Sequence, residues 1–508
     1  MAFFPSCRAI ASALICGLAA QNALATPLRY AEDRAPAIVN PLFATTMSEA
    51  RMNELVFEGL FADSPELRST ARLAQTFEVA EDRKSMTVQL RPDVRWHDGE
   101  PLKAADVVFT IEAMKDRSTA SSEAARVGWI ETVSEVDTHT VSLTFVGTEF
   151  APQDKLHFKI LPSHLFDGAS VKRSHSFRTR PIGTGAWVLQ SFNDDNSVTM
   201  QNNSMYHGNA MLDEVSMREV SDKNYQAKLL IYESLEALVW VLPRDLATLQ
   251  NDRKVELYPY QTNSWWYVGF NQRDASLKDP LVREALSLMV DIPSLLAPVG
   301  TGSVLTGPYV RSSPYYNHNV PEYVHNPDRA AELLADAGYT FNGRHWMGRD
   351  GKALTLRLAT QSNLETAQDV VINLQSQLQN RGIQVEPEFL GIAEWKKRVW
   401  LDHDFDLILS QWTFDRNEDI RDHFHSTGNR NFVGYANPDV DQLLDDAKNA
   451  GDPQQKKAIL RQVHQVIHDD NPMVFLWTLD NYSAMSVKVK NVVVHPFYFF
   501  TWATDWSL

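Results

Sequence analysis

Residues 86–114 constrain the fold most, because the hydrophobic period of the chain changes within this one short run. Residues 86–90 alternate in polarity, which is typical of a half-buried strand. Residues 96–99, Trp-His-Asp-Gly, have turn composition, since Asp can cap its own backbone and Gly tolerates positive φ. From about Leu102 the apolar residues recur at helical spacing. The run therefore predicts a strand, a tight corner that carries a tryptophan, and a helix.

A second run, residues 181–189, places Gly183 and Gly185 on either side of Thr184. Two glycines this close together are compatible with a phosphate-binding loop. However, no Gly-Lys-Ser/Thr follows them, and the next element has the pattern of a strand rather than a helix. The run is therefore interpreted as a glycine-permitted bend between crossing strands.

Both runs resemble signatures of the bacterial extracellular solute-binding proteins of family 5, the oligopeptide, dipeptide and nickel-chelate receptors of ABC importers. A further match is the predicted helix at residues 326–338, with its Asn cap, first-turn proline and final glycine. The resemblance extends over nearly all of the chain that follows the leader. In the first run the matching residues are Leu90, Arg91, Pro92, Val94, Trp96, His97, Asp98, Gly99, Pro101, Leu102, Ala104, Asp106, Val107, Val108 and Phe109.

The chain departs from the family pattern at three places. Lys103 stands where the family usually has Thr, and a lysine cannot accept a hydrogen bond from the free N–H groups that begin a helix. Residues 229–237 lack the Gly and Asp of the family's usual segment there. Glu418 and Asp419 replace an Asp-Pro pair. The last two departures bear on ligand specificity.

The resemblance implies an α/β fold of the periplasmic binding protein type II, in its large class, with two lobes, an interlobe cleft and an extra domain. It also implies a function. Such a receptor captures a peptide, peptide-like or cationic small solute by hinge closure and delivers it to the permease subunits of an ABC importer. A monomer without cofactor or catalysis is expected. A secreted hydrolase and a sensory receptor on the same cleft fold are the alternatives.

Residues 1–25 have the features of a cleavable secretory signal peptide: a positive residue, an apolar run and a small-x-small site at Ala23-Leu24-Ala25. Lipid attachment at Cys16 is an open alternative, although a bulky isoleucine precedes it. Both cysteines, Cys7 and Cys16, lie in this leader. The mature periplasmic chain is therefore predicted to depend on core burial alone, without disulfides or thiol chemistry.

The acidic balance of the chain restricts its partners. The formal net charge is −16, with 44% hydrophobic and 22% charged residues, which indicates an ordinary globular protein. An excess of carboxylates argues against nucleic acid or anionic lipid as the main partner. After the leader, the sequence contains no run of 18 apolar residues.

No low-complexity linker interrupts the chain. The domains are therefore predicted to be interleaved along the sequence rather than arranged one after another. The predicted segments are a signal peptide (1–25), lobe I (26–57, 166–268 and 480–508), the extra domain (58–165) and lobe II (269–479).

Candidate ligand-binding residues cluster in residues 395–415. An alternating apolar strand ends near Trp412, and α/β sheets tend to bind ligands at the carboxyl ends of their strands. Trp412 and Asp415 match the W-x-x-D of oligopeptide-binding relatives, in which the aspartate holds the peptide α-ammonium group. Trp395 matches a tryptophan that lines a side-chain pocket. A carboxylate beside tryptophan faces suits an ammonium group chemically.

Other interpretations of these residues stay open. Trp412 is also compatible with a core position at a strand end, and Asp415 with a helix cap. Trp265 and Trp266 are candidates for apolar cleft walls or for hinge packing.

The sequence contains no recognisable catalytic or metal-binding motif. Gly-x-Ser-x-Gly, His-Glu-x-x-His and a phosphate loop are absent from it. His423 and His425 have an i, i+2 spacing, which places two side chains on one face only in a strand. No catalytic residue and no metal site is therefore predicted.

Overall fold

The computed structural model describes residues 27–166, 171–364, 366–414, 418–450 and 452–508. The predicted signal peptide, the alternative lipid site at Cys16 and the candidate Asp415 lie outside the described residues.

In chain order, the strands of the described residues are β1 Leu28–Glu32, β2 Phe61–Asp63, β3 Ser69–Ala71, β4 Ala74–Val79, β5 Ser85–Leu90, β6 Ile130–Asp137, β7 Thr140–Phe145, β8 Trp187–Phe192, β9 Val198–Asn202, β10 Glu214–Glu219, β11 Ala237–Leu238, β12 Val255–Tyr260, β13 Ser264–Phe270, β14 Gly302–Val304, β15 Thr340–Phe341, β16 Trp346–Met347, β17 Thr355–Gln361, β18 Gln384–Leu390, β19 Leu407–Thr413, β20 Met473–Phe475, β21 Trp477–Leu479 and β22 Asn481–Ser486.

The helices of the same residues are α1 Met47–Val56, α2 Ala104–Lys115, α3 Lys223–Ile231, α4 Leu246–Gln250, α5 Pro280–Met289, α6 Ile292–Leu296, α7 Pro327–Asp336, α8 Ala367–Gln379, α9 Ile392–Trp395, α10 Arg421–Phe424, α11 Pro438–Asn449 and α12 Pro453–Asp470. A π-helical turn, Lys396–Leu401, continues α9.

Three sheets organise the described part of the chain. A seven-stranded sheet has the order β12-β22-β11-β1-β10-β9-β8, and a five-stranded sheet has the order β18-β17-β19-β13-β20. A four-stranded sheet, β4-β5-β7-β6, is formed by residues of the predicted extra domain. The strand–helix–strand run β17-α8-β18 gives a parallel pair, as its sequence pattern predicts. The architecture is the mixed α/β fold that the sequence indicated.

The predicted strand, corner and helix at residues 86–114 are confirmed as β5, a turn and α2. Asp106, in the first turn of α2, accepts hydrogen bonds from the backbone N–H of Lys103 (2.9 Å) and from Nε1 of the fully buried Trp96 (3.2 Å). Asp106 also accepts from the hydroxyl of Ser163 (2.6 Å). The helix therefore begins at Ala104 without a capping side chain on Lys103, because the carboxylate of Asp106 binds the Lys103 N–H from within the helix.

Gly183 and Gly185 are required by close backbone approach. A Cβ on Gly183 would lie 1.8 Å from the carbonyl oxygen of Val56, and one on Gly185 would lie 2.5 Å from that of Leu55. The N–H of Gly185 donates to Val56 O at 2.9 Å. Neither glycine has positive φ. The bend is thus present, but glycine is needed for the space between two backbones rather than for conformational freedom.

The chain passes between the two large sheets at two neighbouring places. The first pass lies between β12, in the seven-stranded sheet, and β13, in the five-stranded sheet. The second leads from β20, in the five-stranded sheet, through β21 to β22, in the seven-stranded sheet, and contains Asp480. Nε2 of Gln261, in the first pass, donates to Asp480 Oδ1 at 3.2 Å. Two adjacent crossings join the halves, and the predicted domain boundaries stay a prediction.

Candidate functional site

The carboxyl end of β19 lies beside the first crossing between the sheets. β19 pairs antiparallel with β13, so that Trp412 faces Trp265 across the ladder. Just beyond the pair, the N–H of Phe414 donates to the carbonyl of Asn263 at 2.9 Å. Asn263 belongs to the crossing segment. Residues that follow Trp412 are therefore placed where the two halves of the molecule meet.

The structure brings some of the predicted tryptophans together and separates others. Trp265 and Trp395 are 1% and 3% exposed and belong to one apolar core, against which the half-buried Trp412 packs. Trp266, 3% exposed, points to the opposite face of the sheet and packs on Trp477 with ring centroids 6.2 Å apart. Trp412 is thus the most accessible of the four candidates.

Trp412 is enclosed by a histidine and an arginine. The His423 ring lies 4.3 Å from the Trp412 ring in an edge-on arrangement, and Cζ of Arg430 lies 4.8 Å from the Trp412 ring centroid. His423 is buried, and neither ring nitrogen has a hydrogen-bond partner within the part of the chain that the structure describes. Burial, together with the nearby Arg430 charge, lowers the pKa of His423 to about 3. The imidazole is therefore neutral at physiological pH.

Glu418 is the next described residue after Phe414, and its side chain contacts the first crossing. Its carboxylate accepts from Asn263 Nδ2 at 3.0 Å and from the Ser313 hydroxyl. Its backbone has a φ of +48°, in the left-handed region. Burial and the Glu418 charge raise the pKa of Tyr309. We call Trp412, Phe414, Glu418, His423 and Arg430 the Trp412 strand end.

A cavity of about 330 Å³ opens in the other half of the molecule, within the range of small-molecule sites. It lies between the start of α1 and residues 157–159. The apolar part of its lining includes Leu42, Met47, Phe61, Met114 and Phe158, and the polar part includes Thr45, Thr46, Asn53, Glu54, Asp63, Glu123, Arg126, His157, Lys159, Tyr498 and Thr501. We call these residues the cavity wall.

Charged side chains of the cavity wall are paired with one another or with close neighbours. Glu54 binds Lys159 Nζ at 2.6 Å and accepts from the Thr501 hydroxyl at 2.9 Å. Glu123 binds Arg126 at 2.7 Å, in an i, i+3 pair. Asp63 accepts from Nε2 of His495, which lies behind the wall, at 3.1 Å. Both signs of charge therefore border the cavity, which suits a solute that carries both.

The segment that leads into the cavity wall approaches the other half of the molecule. Burial lowers the pKa of Lys456, on α12, and the charged side chains of residues 149–155 act on the same ammonium group. Burial raises the pKa of Tyr315, and the charges of Glu418 and Asp154 add to this effect. Asp154, three residues before the cavity-wall residue His157, and Glu418, in the Trp412 strand end, thus both lie near Tyr315 where the two halves meet.

The unusual segment at residues 229–237 forms the end of α3 and the start of β11. Glu236 is buried and accepts from the Arg29 backbone N–H (2.9 Å) and from its guanidinium (2.5 Å). This ion pair joins β11 to the neighbouring strand β1.

Two groups of candidate residues could not be predicted from the sequence. The acid–base pairs of the cavity wall join residues far apart in the chain, so no local spacing marks them. Arg430 lies in an irregular segment without a period. The turn composition of residues 426–431 was an available signal that a loop returns here toward Trp412.

Among the residues that the structure describes, no helix is both long and apolar enough to cross a membrane. The same residues contain no group of three or more His, Cys, Asp or Glu side chains arranged to hold a metal ion.

Two α/β halves joined by adjacent crossings define a binding protein of the type II periplasmic fold. Residues 69–432 match the family "Bacterial extracellular solute-binding proteins, family 5 Middle". The chain belongs to this family, which confirms the resemblance carried by the sequence runs at 86–114 and 181–189.

Relatives and solved structures agree with this assignment. Oligopeptide-binding protein AppA of Bacillus subtilis is 26% identical over 486 residues, covering 91% of this chain and 88% of that protein. Glutathione-binding protein GsiB of Pectobacterium atrosepticum is 25% identical over 504 residues, covering 93% and 94%. The structure of NikZ from Campylobacter jejuni in complex with Ni(L-His) matches with a TM-score of 0.80 at 23% identity, covering 95% of this chain and 99% of that chain.

The chain is therefore a solute-binding component of an ABC importer. Members of this family are transport proteins, and the hydrolase and sensory alternatives are not favoured by these comparisons.

Proposed function

We propose that this protein is a periplasmic receptor that captures a peptide or peptide-like solute between the cavity wall and the Trp412 strand end. It then presents the closed complex to the permease subunits of its importer. The observation that carries this proposal is the cavity, about 330 Å³, bordered by both carboxylates and cations. A free peptide carries one charge of each sign and apolar side chains, which match such a lining.

The Trp412 strand end supplies the second half of the proposed site. Trp412 offers an aromatic face, and Asp415, three residues later, is proposed to hold the solute's ammonium group. Trp395 and Trp265 are proposed to support Trp412 from the core behind it. Trp266, on the opposite face of the sheet, is proposed to contribute hinge packing. Names of the relatives support this class of solute, since they include oligopeptide- and glutathione-binding proteins.

Other parts of the proposal follow from the same framework. The mature protein is proposed to act as a monomer, without catalysis, after cleavage of residues 1–25. Its lobes are proposed to follow the predicted segments, with the hinge at the two neighbouring crossings near Gln261 and Asp480. Closure would bring the cavity wall toward the Trp412 strand end, and a solute that contacts both would stabilise the closed state.

A thermal-shift screen of di- to pentapeptides, opines, sugars and metal chelates tests the proposed solute class. Free-amino peptides are expected to raise Tm, because a ligand at a hundred times its Kd stabilises the native state by about 2.7 kcal/mol. A Tm rise with another class, and none with peptides, would overturn the proposal. Recovery of intact peptide after prolonged incubation, checked by mass spectrometry, is expected of a receptor, whereas cleavage would indicate a hydrolase.

A further inference from the structure

We infer that Arg430, held over Trp412 with His423 packed against the same ring, forms a subsite for a carboxylate group of the solute. This inference rests on the proposed function and narrows the solute to one that carries an acid group as well as an ammonium group.

The first observation is the state of Arg430. Its guanidinium is exposed and positioned by stacking on Trp412, and among the described residues it has no carboxylate partner. Arg421, in the same segment, binds Asp445 instead, and Arg398 binds Glu388 at 2.8 Å. An arginine that is fixed in place but unpaired presents its planar set of donors to an external anion.

The second observation is independent and concerns His423. This imidazole is 6% exposed, yet neither ring nitrogen has a hydrogen-bond partner in the described ranges, which omit residues 415–417 here. A buried polar group without a hydrogen bond is unfavourable and uncommon in native proteins, so it calls for a partner that the folded chain does not supply. A neutral imidazole has one N–H donor. A carboxylate that binds Arg430 beside Trp412 would bring an acceptor to the same place.

The location of these groups fits a solute with two charged ends. Trp412 lies at the end of β19, beside the crossing residue Asn263. Asp415, the proposed partner of the ammonium group, follows three residues later in the chain. A cation on the Trp412 ring would fix which end of such a solute lies at the strand end.

Two peptides that differ only in their acid group test the inference. Ala-Ala-Ala and its C-terminal amide are titrated into the mature protein by calorimetry. The acid is expected to bind at least about tenfold more tightly than the amide, because it gains charge-assisted hydrogen bonds. Arg430→Met and His423→Phe are expected to reduce this ratio toward one. An unchanged ratio in Arg430→Met would overturn the inference.

Arg421→Gln is the matched control, since it removes an equal charge from the same segment at an arginine whose partner is Asp445. Its acid-to-amide ratio is expected to stay at the wild-type value, and an equal fall in this variant would show that the effect comes from general charge, which also overturns the inference.

A second measurement separates the inference from the proposed function. N-acetylalanine and N-acetylalanine amide carry no ammonium group, and their effects on the His423 imidazole signal are followed by NMR, with His423→Phe to assign it. The acid, and not the amide, is expected to shift this signal. If neither tripeptide binds but the acid probe shifts His423, the proposed function fails and the subsite holds. If the acid probe leaves His423 unchanged, the subsite is wrong whatever the peptides do.

Discussion

The cavity wall and the Trp412 strand end contain the same kinds of side chain, but they satisfy them differently. In the cavity wall, Glu54 and Glu123 each bind a cation of the same half. In the Trp412 strand end, the described residues supply no hydrogen-bond partner to the His423 ring, and the Arg430 guanidinium lies over the Trp412 ring without a carboxylate partner among them. A group that is already paired stabilises the fold, whereas a buried group without a partner costs free energy, and we propose that a ligand supplies the partner of His423. The two sides of the site are therefore expected to respond differently to mutation.

The largest expected effect concerns Glu58, which lies in the same half of the molecule as the cavity wall but outside the cavity lining, and which accepts from Arg72 at 2.6 Å and from His207 at 2.9 Å. Burial alone would raise the pKa of Glu58, but these two partners lower it to about 2. The ionised Glu58 carboxylate therefore stabilises the fold fully above the pKa that Glu58 has in the unfolded chain. This stabilisation is lost as the pH falls from that value through about 2. Glu58→Gln is expected to remove about 3 kcal/mol from the free energy of unfolding at pH 7.

Urea unfolding of the wild type and of Glu58→Gln at pH 7 and at pH 3 measures this effect. The difference between the two proteins is expected to shrink at the lower pH. If the difference in free energy of unfolding were the same at both pH values, Glu58 would stabilise the fold through packing rather than through its charge.

The next effect concerns the unpaired side. The pKa of His423 lies near 3, below its unfolded value of about 6.5, because of burial and the Arg430 charge. The unfolded chain therefore binds a proton that the native state excludes, and stability falls as the pH drops from 6.5 toward 3. Between pH 7 and pH 5, the free energy of unfolding of His423→Phe is expected to fall by about 2 kcal/mol less than that of the wild type. If urea unfolding showed the same fall in the free energy of unfolding for both proteins, His423 would not be the group whose protonation destabilises the native state.

A smaller effect, on binding alone, is expected at Asp415. Asp415→Ala is expected to weaken the binding of a free-amino peptide at least tenfold, since its ammonium group would lose a charged partner. Calorimetry at pH 7 measures the change. Asp422→Ala, at an exposed carboxylate in the same segment, serves as the matched control and is expected to bind normally. Unchanged affinity in Asp415→Ala would mean that the family's ammonium site does not transfer to this chain.

The smallest effect is expected at Trp412. Replacement by leucine keeps an apolar contact but removes the aromatic face, and cation–π contacts at exposed sites contribute about 0.5–1 kcal/mol. Trp412→Leu is therefore expected to weaken peptide binding about threefold, while the free energy of unfolding changes less than in Glu58→Gln. A loss of binding as large as that in Asp415→Ala would indicate that the strand end itself had been displaced.

The sequence predicts those parts of the fold that depend on local signals. The helix at α7 is marked by Asn326, Pro327 and Gly338, and it begins and ends as these residues indicate. The strand and helix around Trp96 follow from a change of hydrophobic period. The start of α2 was harder to place, because its cap comes from Asp106 inside the helix rather than from Lys103.

Contacts between residues far apart in the chain could not be predicted from the sequence. The need for Gly183 arises from the backbone of Val56, and no property of residues 181–189 reveals that neighbour. The cavity-wall pair Glu54–Lys159 likewise depends on the tertiary fold. Trp412 could be placed at a strand end by its period, but Arg430 reaches its ring through an irregular loop. The sequence therefore predicts the strand end that carries Trp412, but not the side chains from distant segments that surround it.

The neighbouring crossings at Gln261 and Asp480 have a mechanical consequence. Two short links that run side by side act as a single pivot, so the halves are expected to turn with essentially one degree of freedom. A permease that contacts both halves would then need to sense only one angle to distinguish a loaded receptor from an empty one, whatever the chemical identity of its cargo.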